Sequence, residues 1–169
     1  MFKKCFLFFV FCCTAFPAAA AQIAILFNGN TPVNSETIHF LEKQMQQTGQ
    51  DLKLVPVSDG STIKPGLYKA ILILNTGIPA GIDRKLAEFI NAWAQKSDLL
   101  LISLRTGSKD VKVESLTASP ATLGIDGIAA ASTWKGKGLS ALFGGKNSPE
   151  YEMHLEWTKR VIHWIQTRP

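Results

Sequence analysis

Cysteine is nearly missing from this chain of 169 residues. The three cysteines that occur all lie near its start, at Cys5, Cys12 and Cys13. They stand inside an apolar run that follows Lys3 and Lys4 and precedes an alanine-rich stretch at 18–21. This order is typical of a secretory signal peptide, and the run is shorter than the roughly 20 residues that cross a bilayer. We therefore expect cleavage after Ala21, which excludes disulfides, thiol catalysis and cysteine metal sites in the exported chain.

A lipid anchor is an alternative interpretation of the same segment. It would need a cysteine that follows small residues, whereas Cys12 follows Val10 and Phe11, and Cys13 lies inside the apolar run. The periplasm is the expected location, and secretion beyond it is the alternative. Once the signal peptide is removed, the chain is not expected to span a membrane.

A strong charge of either sign is also lacking. The formal net charge is +5 and falls by two when Lys3 and Lys4 are removed with the signal peptide. No run of lysine and arginine interleaved with aromatic residues occurs, so a nucleic-acid partner is not expected.

Catalytic signatures are scarce as well. The chain has no Gly-x-Ser-x-Gly motif, which excludes the nucleophile of an α/β-hydrolase. His154 and His163 are nine residues apart and His39 is remote, so the histidines do not have the i, i+4 spacing of a helical metal site. No metal site is predicted.

What the chain does contain is an alternation of short apolar runs with helical patterns. The apolar runs predict five strands, at 22–27, 52–57, 69–74, 98–104 and 125–131. The helical patterns predict helices at 33–48, 83–95 and 149–166. The segment 109–124 has a weak pattern and is a poor helix at best. This order predicts one α/β domain at 22–169, a doubly wound parallel sheet of five strands.

The turn after the first strand carries the clearest functional signal. It is rich in Asn, Gly, Thr and Ser from Asn28 to Ser35, and Thr31 followed by Pro32 is typical of a helix start. Backbone N–H groups at such a start lack partners within the helix and can bind an anion. The turn therefore predicts an anion site.

The order of elements resembles the flavodoxin-like fold over essentially all of 22–169. The segment from Gly66 to Thr76, Gly-Leu-Tyr-Lys-Ala-Ile-Leu-Ile-Leu-Asn-Thr, resembles the part of that family that leads into its middle strand. The resemblance implies the strand order 2-1-3-4-5 and a ligand above strands 1 and 3, where the direction of winding reverses.

The same resemblance implies that the ligand is FMN or a similar anion, bound at the carboxyl ends of strands 1, 3 and 4. The residues that would bind it are Asn28, Gly29, Asn30, Thr31, Asn34, Ser35, Asn75, Thr76, Gly77, Arg105, Thr106, Gly107 and Trp134. The chain departs from the family at Pro32 and Val33, where Gly-Asn is usual, and Pro32 removes one N–H donor. It also has no aromatic residue in 75–81, so Trp134 would have to stack on the flavin ring.

A second resemblance concerns a covalent flavin. The segment Asp126 to Thr133 is similar to the Asp-x-x-Ser/Thr-Gly-Ala-Thr motif of exported FMN-binding domains, with Ser132 in place of the threonine that receives FMN. Two functions stay open: an exported electron-transfer protein with noncovalent FMN and a periplasmic redox partner, or a flavodoxin-like binding or assembly module without a cofactor that binds a periplasmic protein.

Overall fold

The computed structural model describes residues 22–76, 81–116, 123–133 and 148–168. Within these ranges the strands are β1 (Ile23–Phe27), β2 (Leu52–Pro56), β3 (Ala70–Thr76), β4 (Leu99–Arg105), β5 (Lys112–Leu116) and β6 (Asp126–Ala131). The helices are α1 (Pro32–Gln46), α2 (Arg84–Ala92) and α3 (Pro149–Gln166), with short 3₁₀ helices at Val57–Thr62 and Lys96–Asp98. The expected signal peptide lies outside the described residues.

All strands belong to one sheet with the order β2-β1-β3-β4-β6-β5. Neighbouring strands are parallel from β2 to β6, with Phe27 opposite both Pro56 and Leu74. The five predicted strands are therefore confirmed, and so is their order. From β1 the chain turns to one side for β2 and to the other side for β3, which makes the gap between β1 and β3 the point of reversal.

The predicted number of strands and the fully parallel sheet are wrong. β5 lies in the segment expected to be a poor helix at best, and it pairs antiparallel with β6, with Lys112 opposite Ala131. Its sequence, Lys-Val-Glu-Ser-Leu, is mostly polar, which suits a strand at the edge of a sheet. Its partner β6 would otherwise leave a row of backbone N–H and C=O groups without partners, and pairing with β5 satisfies them.

The core lies on both faces of the sheet. On one face, β-strand residues such as Ile25, Leu72 and Ile102 pack with residues of α1 and α3. On the other face, Leu26 and Ile73 pack with residues of α2. Successive residues of each central strand therefore enter opposite halves of the core, which explains why these strands are apolar without alternation.

Each helix begins at a residue that caps it. The N–H of Asn34 donates to Oγ1 of Thr31 over 3.1 Å, and the N–H of Tyr151 donates to Oγ of Ser148 over 3.1 Å. Oδ1 of Asp83 accepts hydrogen bonds from two backbone N–H groups in the first turn of α2. All three starts were predicted from sequence. No helix in the described ranges is both long and apolar enough to cross a membrane.

Candidate functional site

Asn34 joins the loop after β1 to the end of β3. Its side chain is buried, and Nδ2 donates to the backbone oxygens of Asn28 (3.0 Å) and Gly29 (2.7 Å). The hydroxyl of Thr76 donates to Oδ1 of the same amide. Because these three hydrogen bonds connect its side chain to the loop and to β3, Asn34 fixes the shape of the loop.

Asn75, near the end of β3, has the corresponding role for the loop that follows. It is also buried, and its Nδ2 donates to the backbone oxygen of Gly81 (3.0 Å) and to Oγ of Ser103 (3.2 Å). Its Oδ1 accepts from the N–H of Asp83 over 3.1 Å. Nδ2 of Asn28 donates to Oδ2 of Asp83 over 2.8 Å, so the loops after β1 and β3 are both tied to the start of α2.

The rest of the β1–α1 loop faces solvent. Gly29, Asn30, Thr31 and Ser35 are exposed, and Gly29 has a φ of 74°, which favours glycine. Two backbone amides of the loop have partners inside it: those of Asn34 and Ser35 both donate to Thr31. Within the described ranges, the side chains of Asn30 and Ser35 have no hydrogen-bond partner. These two groups are available to a ligand.

The end of β4 supplies a cation. Arg105 is exposed, and its guanidinium makes no ion pair with the described residues. Its backbone oxygen accepts from the N–H of Ser132 (2.9 Å), whose own oxygen accepts from the N–H of Ser108 (2.9 Å). These bonds hold the loop of Thr106 and Gly107 against the end of β6.

The remaining sequence predictions for this edge have different outcomes. Gly77 and Trp134 lie outside the described residues. Ser132 is completely buried, so its position disfavours the covalent attachment of a flavin to its hydroxyl. Among the described residues, no group of three His, Cys, Asp or Glu side chains is placed to hold a metal ion.

A cleft that sequence reasoning missed opens beside this edge. It has a volume of about 300 Å³ and lies between the ends of β1 and β2, where it is lined by 27–30, 56–58 and Lys85. The sequence shows Lys85 only as a charged residue of α2. Its place in the cleft depends on how α2 packs on the sheet, for which no local signal exists.

No protein-family model matches the chain, and no curated protein matches its sequence. Solved structures do superpose on it. A cysteine-to-alanine mutant of flavodoxin from Pseudomonas aeruginosa superposes with a TM-score of 0.50 and 14% identity, over 86% of this chain and 99% of the flavodoxin. The fold is flavodoxin-like. At this identity the likeness shows the fold alone.

A second solved structure agrees with the flavodoxin-like fold. Rubredoxin oxygen:oxidoreductase from the anaerobe Desulfovibrio gigas superposes with a TM-score of 0.51 and 9% identity, over 86% of this chain. This chain spans 37% of the length of that protein. In the flavodoxin-like fold, Asn30 and Ser35 lie at the carboxyl edge of the sheet beside the point of reversal, as the sequence predicts.

Proposed function

We propose that this chain binds FMN, or a similar anion that carries a phosphate, at the carboxyl ends of β1, β3 and β4, and that it serves in electron transfer after export to the periplasm. The observation that supports the proposal most is the β1–α1 loop. The exposed side chains of Asn30 and Ser35 lack protein partners in the described ranges, while Asn34 beneath them holds the backbone fixed. A site organised in this way loses little entropy on binding.

The phosphate of FMN fits the polar groups of this edge. The hydroxyl of Ser35 and the side-chain amide of Asn30 can donate to phosphate oxygens, and the hydroxyl of Thr31 can donate while it accepts from Asn34. Arg105, two strands away on β4, adds a positive charge. Pro32 has no N–H, so side chains rather than a continuous row of amides would bind the phosphate.

The flavin ring has fewer candidate partners. The loop 75–81 has no aromatic residue, and Trp134 is the residue proposed to stack on the ring. When bound, FMN supplies the electron-transfer chemistry, and the protein supplies binding, orientation and electrostatics. A basic net charge would favour an acidic redox partner.

An absorbance spectrum of the purified protein tests this proposal directly. The protein is incubated with FMN, passed through gel filtration and examined for flavin bands that elute with it. Ser35→Ala should weaken FMN binding by at least tenfold, since a hydrogen bond to a charged group contributes about 1.5–3 kcal/mol. Ser97→Ala is the matched control, because Ser97 is exposed before β4 at the opposite edge. Equal binding by Ser35→Ala and the wild-type protein would remove the loop from the proposal.

Thr31→Ala should also weaken FMN binding, but this substitution is expected to affect the stability of the protein as well. Thr31 caps α1, and loss of such a cap costs about 1 kcal/mol of stability. Thr31→Asn provides the comparison, because asparagine is an equally good cap and has no hydroxyl. FMN affinity lowered in both variants would assign the effect to the hydroxyl.

A flavodoxin-like binding or assembly module without a cofactor is the second candidate. It is favoured by one observation: Asn34 and Asn75 have their hydrogen bonds inside the protein, so the edge is stable with no ligand. A colourless protein that retains no FMN would support this candidate. Its periplasmic partner would then be sought by crosslinking in intact cells.

Export is proposed on the signal peptide at 1–21. Mass spectrometry of the protein recovered from the periplasm should give a chain that starts at Gln22. A cytoplasmic protein that retains Met1 would contradict this part of the proposal without affecting the ligand site.

A further inference from the structure

The loop after β1 contains the one Asn-Gly step of this chain, Asn28-Gly29. In such a step the backbone nitrogen of the glycine can attack the side-chain carbonyl carbon of the asparagine, because the glycine has no Cβ that obstructs the approach. The side-chain nitrogen of the asparagine is then lost as ammonia. The other asparagines of the chain are followed by Thr, Ser or Ala, so this step is its best candidate for deamidation.

Both reacting groups of this step are accessible. Gly29 is exposed, and its N–H makes no hydrogen bond with any residue that the structure describes. Its φ is 74°, and nothing lies within 4 Å of where a Cβ would stand. Asn28 is partly exposed, and within the described ranges its side chain is bonded through Nδ2 alone, so the side-chain carbonyl has no hydrogen bond.

One hydrogen bond restrains the side chain of Asn28. Its Nδ2 donates to Oδ2 of Asp83 over 2.8 Å. Asp83 is itself held in place, because its Oδ1 accepts from two N–H groups of α2 and its own N–H donates to Oδ1 of the buried Asn75. Since this bond restricts rotation of the Asn28 side chain, we expect the carbonyl carbon to reach the nitrogen of Gly29 mainly while the bond is open.

We propose that Asn28 is a site of deamidation and that its hydrogen bond to Asp83 sets the rate. The nitrogen of Gly29 forms a bond to Cγ of Asn28, the bond from Cγ to Nδ2 breaks, and ammonia leaves with the proton of the Gly29 N–H. Water then opens the cyclic imide at one of its two carbonyl groups, which gives aspartate or isoaspartate at position 28. Water is the only co-reactant. This inference does not depend on the proposed FMN site.

The reaction replaces an attraction at Asp83 by a repulsion. In the aspartate product, a carboxylate stands where the amide of Asn28 now donates, and it faces Oδ2 of Asp83. Two carboxylates have no proton to share in a hydrogen bond, and their charges repel. The bond between the loop after β1 and the first turn of α2 is then lost, whereas the bonds from Asp83 to Asn75 and to α2 can remain. Because ammonia leaves, the change is irreversible.

Peptide mapping by mass spectrometry tests the site. The folded protein is incubated in neutral buffer, and conversion to aspartate and isoaspartate is followed separately at Asn28 and Asn30. Asn28 should convert much faster than Asn30, which is the matched control because it is exposed in the same loop but is followed by Thr31. Asp83→Ser should raise the rate at Asn28 roughly tenfold, because serine also caps a helix but lacks the charged oxygen that holds the amide.

A second variant separates local release of the amide from global unfolding. Trp157→Phe weakens the packing of α3, which has no contact with Asn28 through Trp157, and should leave the rate at Asn28 nearly unchanged. Asn28→Asp measures the consequence of the reaction. It should lower the melting temperature by roughly 4–8 °C. In the Asp83→Ser background the same substitution should lower it by less than half as much, because the facing carboxylate is absent.

Four outcomes would overturn the inference. Asn28 stays intact in the folded protein although it converts in urea, or Asn30 converts as fast as Asn28. Alternatively, Asp83→Ser accelerates the reaction no more than Trp157→Phe does, which would assign the reaction to the unfolded chain. Finally, Asn28→Asp lowers the melting temperature equally with and without Asp83, which would remove the repulsion from the argument.

Discussion

Replacing Asn34 with alanine should lower the free energy of unfolding by about 3 kcal/mol. The side chain is 3% exposed and makes three hydrogen bonds: two to backbone oxygens, of Asn28 and Gly29, and one from the hydroxyl of Thr76. Truncation leaves three polar groups without their partner, and each such loss costs about 1–3 kcal/mol. Asn28 is partly exposed and Gly29 is exposed, so water can reach both and the lower end of the range applies to each group.

Urea unfolding followed by circular dichroism measures this change. The midpoint should fall with an unchanged slope, and the melting temperature should fall by roughly 6–12 °C for a domain of this size. Asn30→Ala is the matched control, because the same residue type in the same loop is exposed and has no hydrogen-bond partner in the described ranges. It should change stability by less than about 0.5 kcal/mol. Equal effects of the two substitutions would refute the structural role of Asn34.

Two further substitutions test the packing on either face of the sheet. Gly60→Ala should cost about 1 kcal/mol, because a Cβ would stand 3.1 Å from Cδ2 of Phe89, and the double variant with Phe89→Leu should recover part of the loss in thermal unfolding; no recovery would contradict this contact. Trp157→Phe should cost about 1–3 kcal/mol in urea unfolding, because it removes the indole N–H that donates to Nδ1 of the buried His154 over 2.9 Å; a change below about 0.5 kcal/mol would show that this bond does not contribute.

Local patterns in the sequence were sufficient for most of the fold. The strands β1, β3 and β4 are continuous apolar runs, and the helix starts at Thr31 and Asp83 depend on residues within a few positions of each other. Such signals do not require knowledge of distant contacts. They explain why the strand positions and the caps agree with the structure, whereas the strand order was implied by the resemblance to the flavodoxin-like fold.

The edge strand β5 shows where local patterns fail. Five mostly polar residues form a weak signal, and their stability as a strand comes from pairing with β6, which lies later in the chain. Propensity alone cannot supply that contact.

The candidate functional site shows a different limit of prediction from sequence. Asn28, Asn34 and Asn75 were predicted to contact a ligand because the resemblance places one at these strand ends, and in the structure each has its side-chain amide bonded to another group of the protein. A sequence identifies which side chains are polar but not which of them have partners across the sheet edge. Lys85 was missed for the same reason, since its relation to Asn30 is set by the packing of α2.

The hydrogen bonds of Asp83 determine how the carboxyl edge of the sheet opens. Through its backbone and its carboxylate, this one residue connects the loop after β1, the loop after β3 and the first turn of α2. These segments cannot separate one at a time without breaking bonds to the same residue. Their amides should therefore exchange with solvent deuterium in a single opening event, which makes the carboxyl edge one cooperative unit.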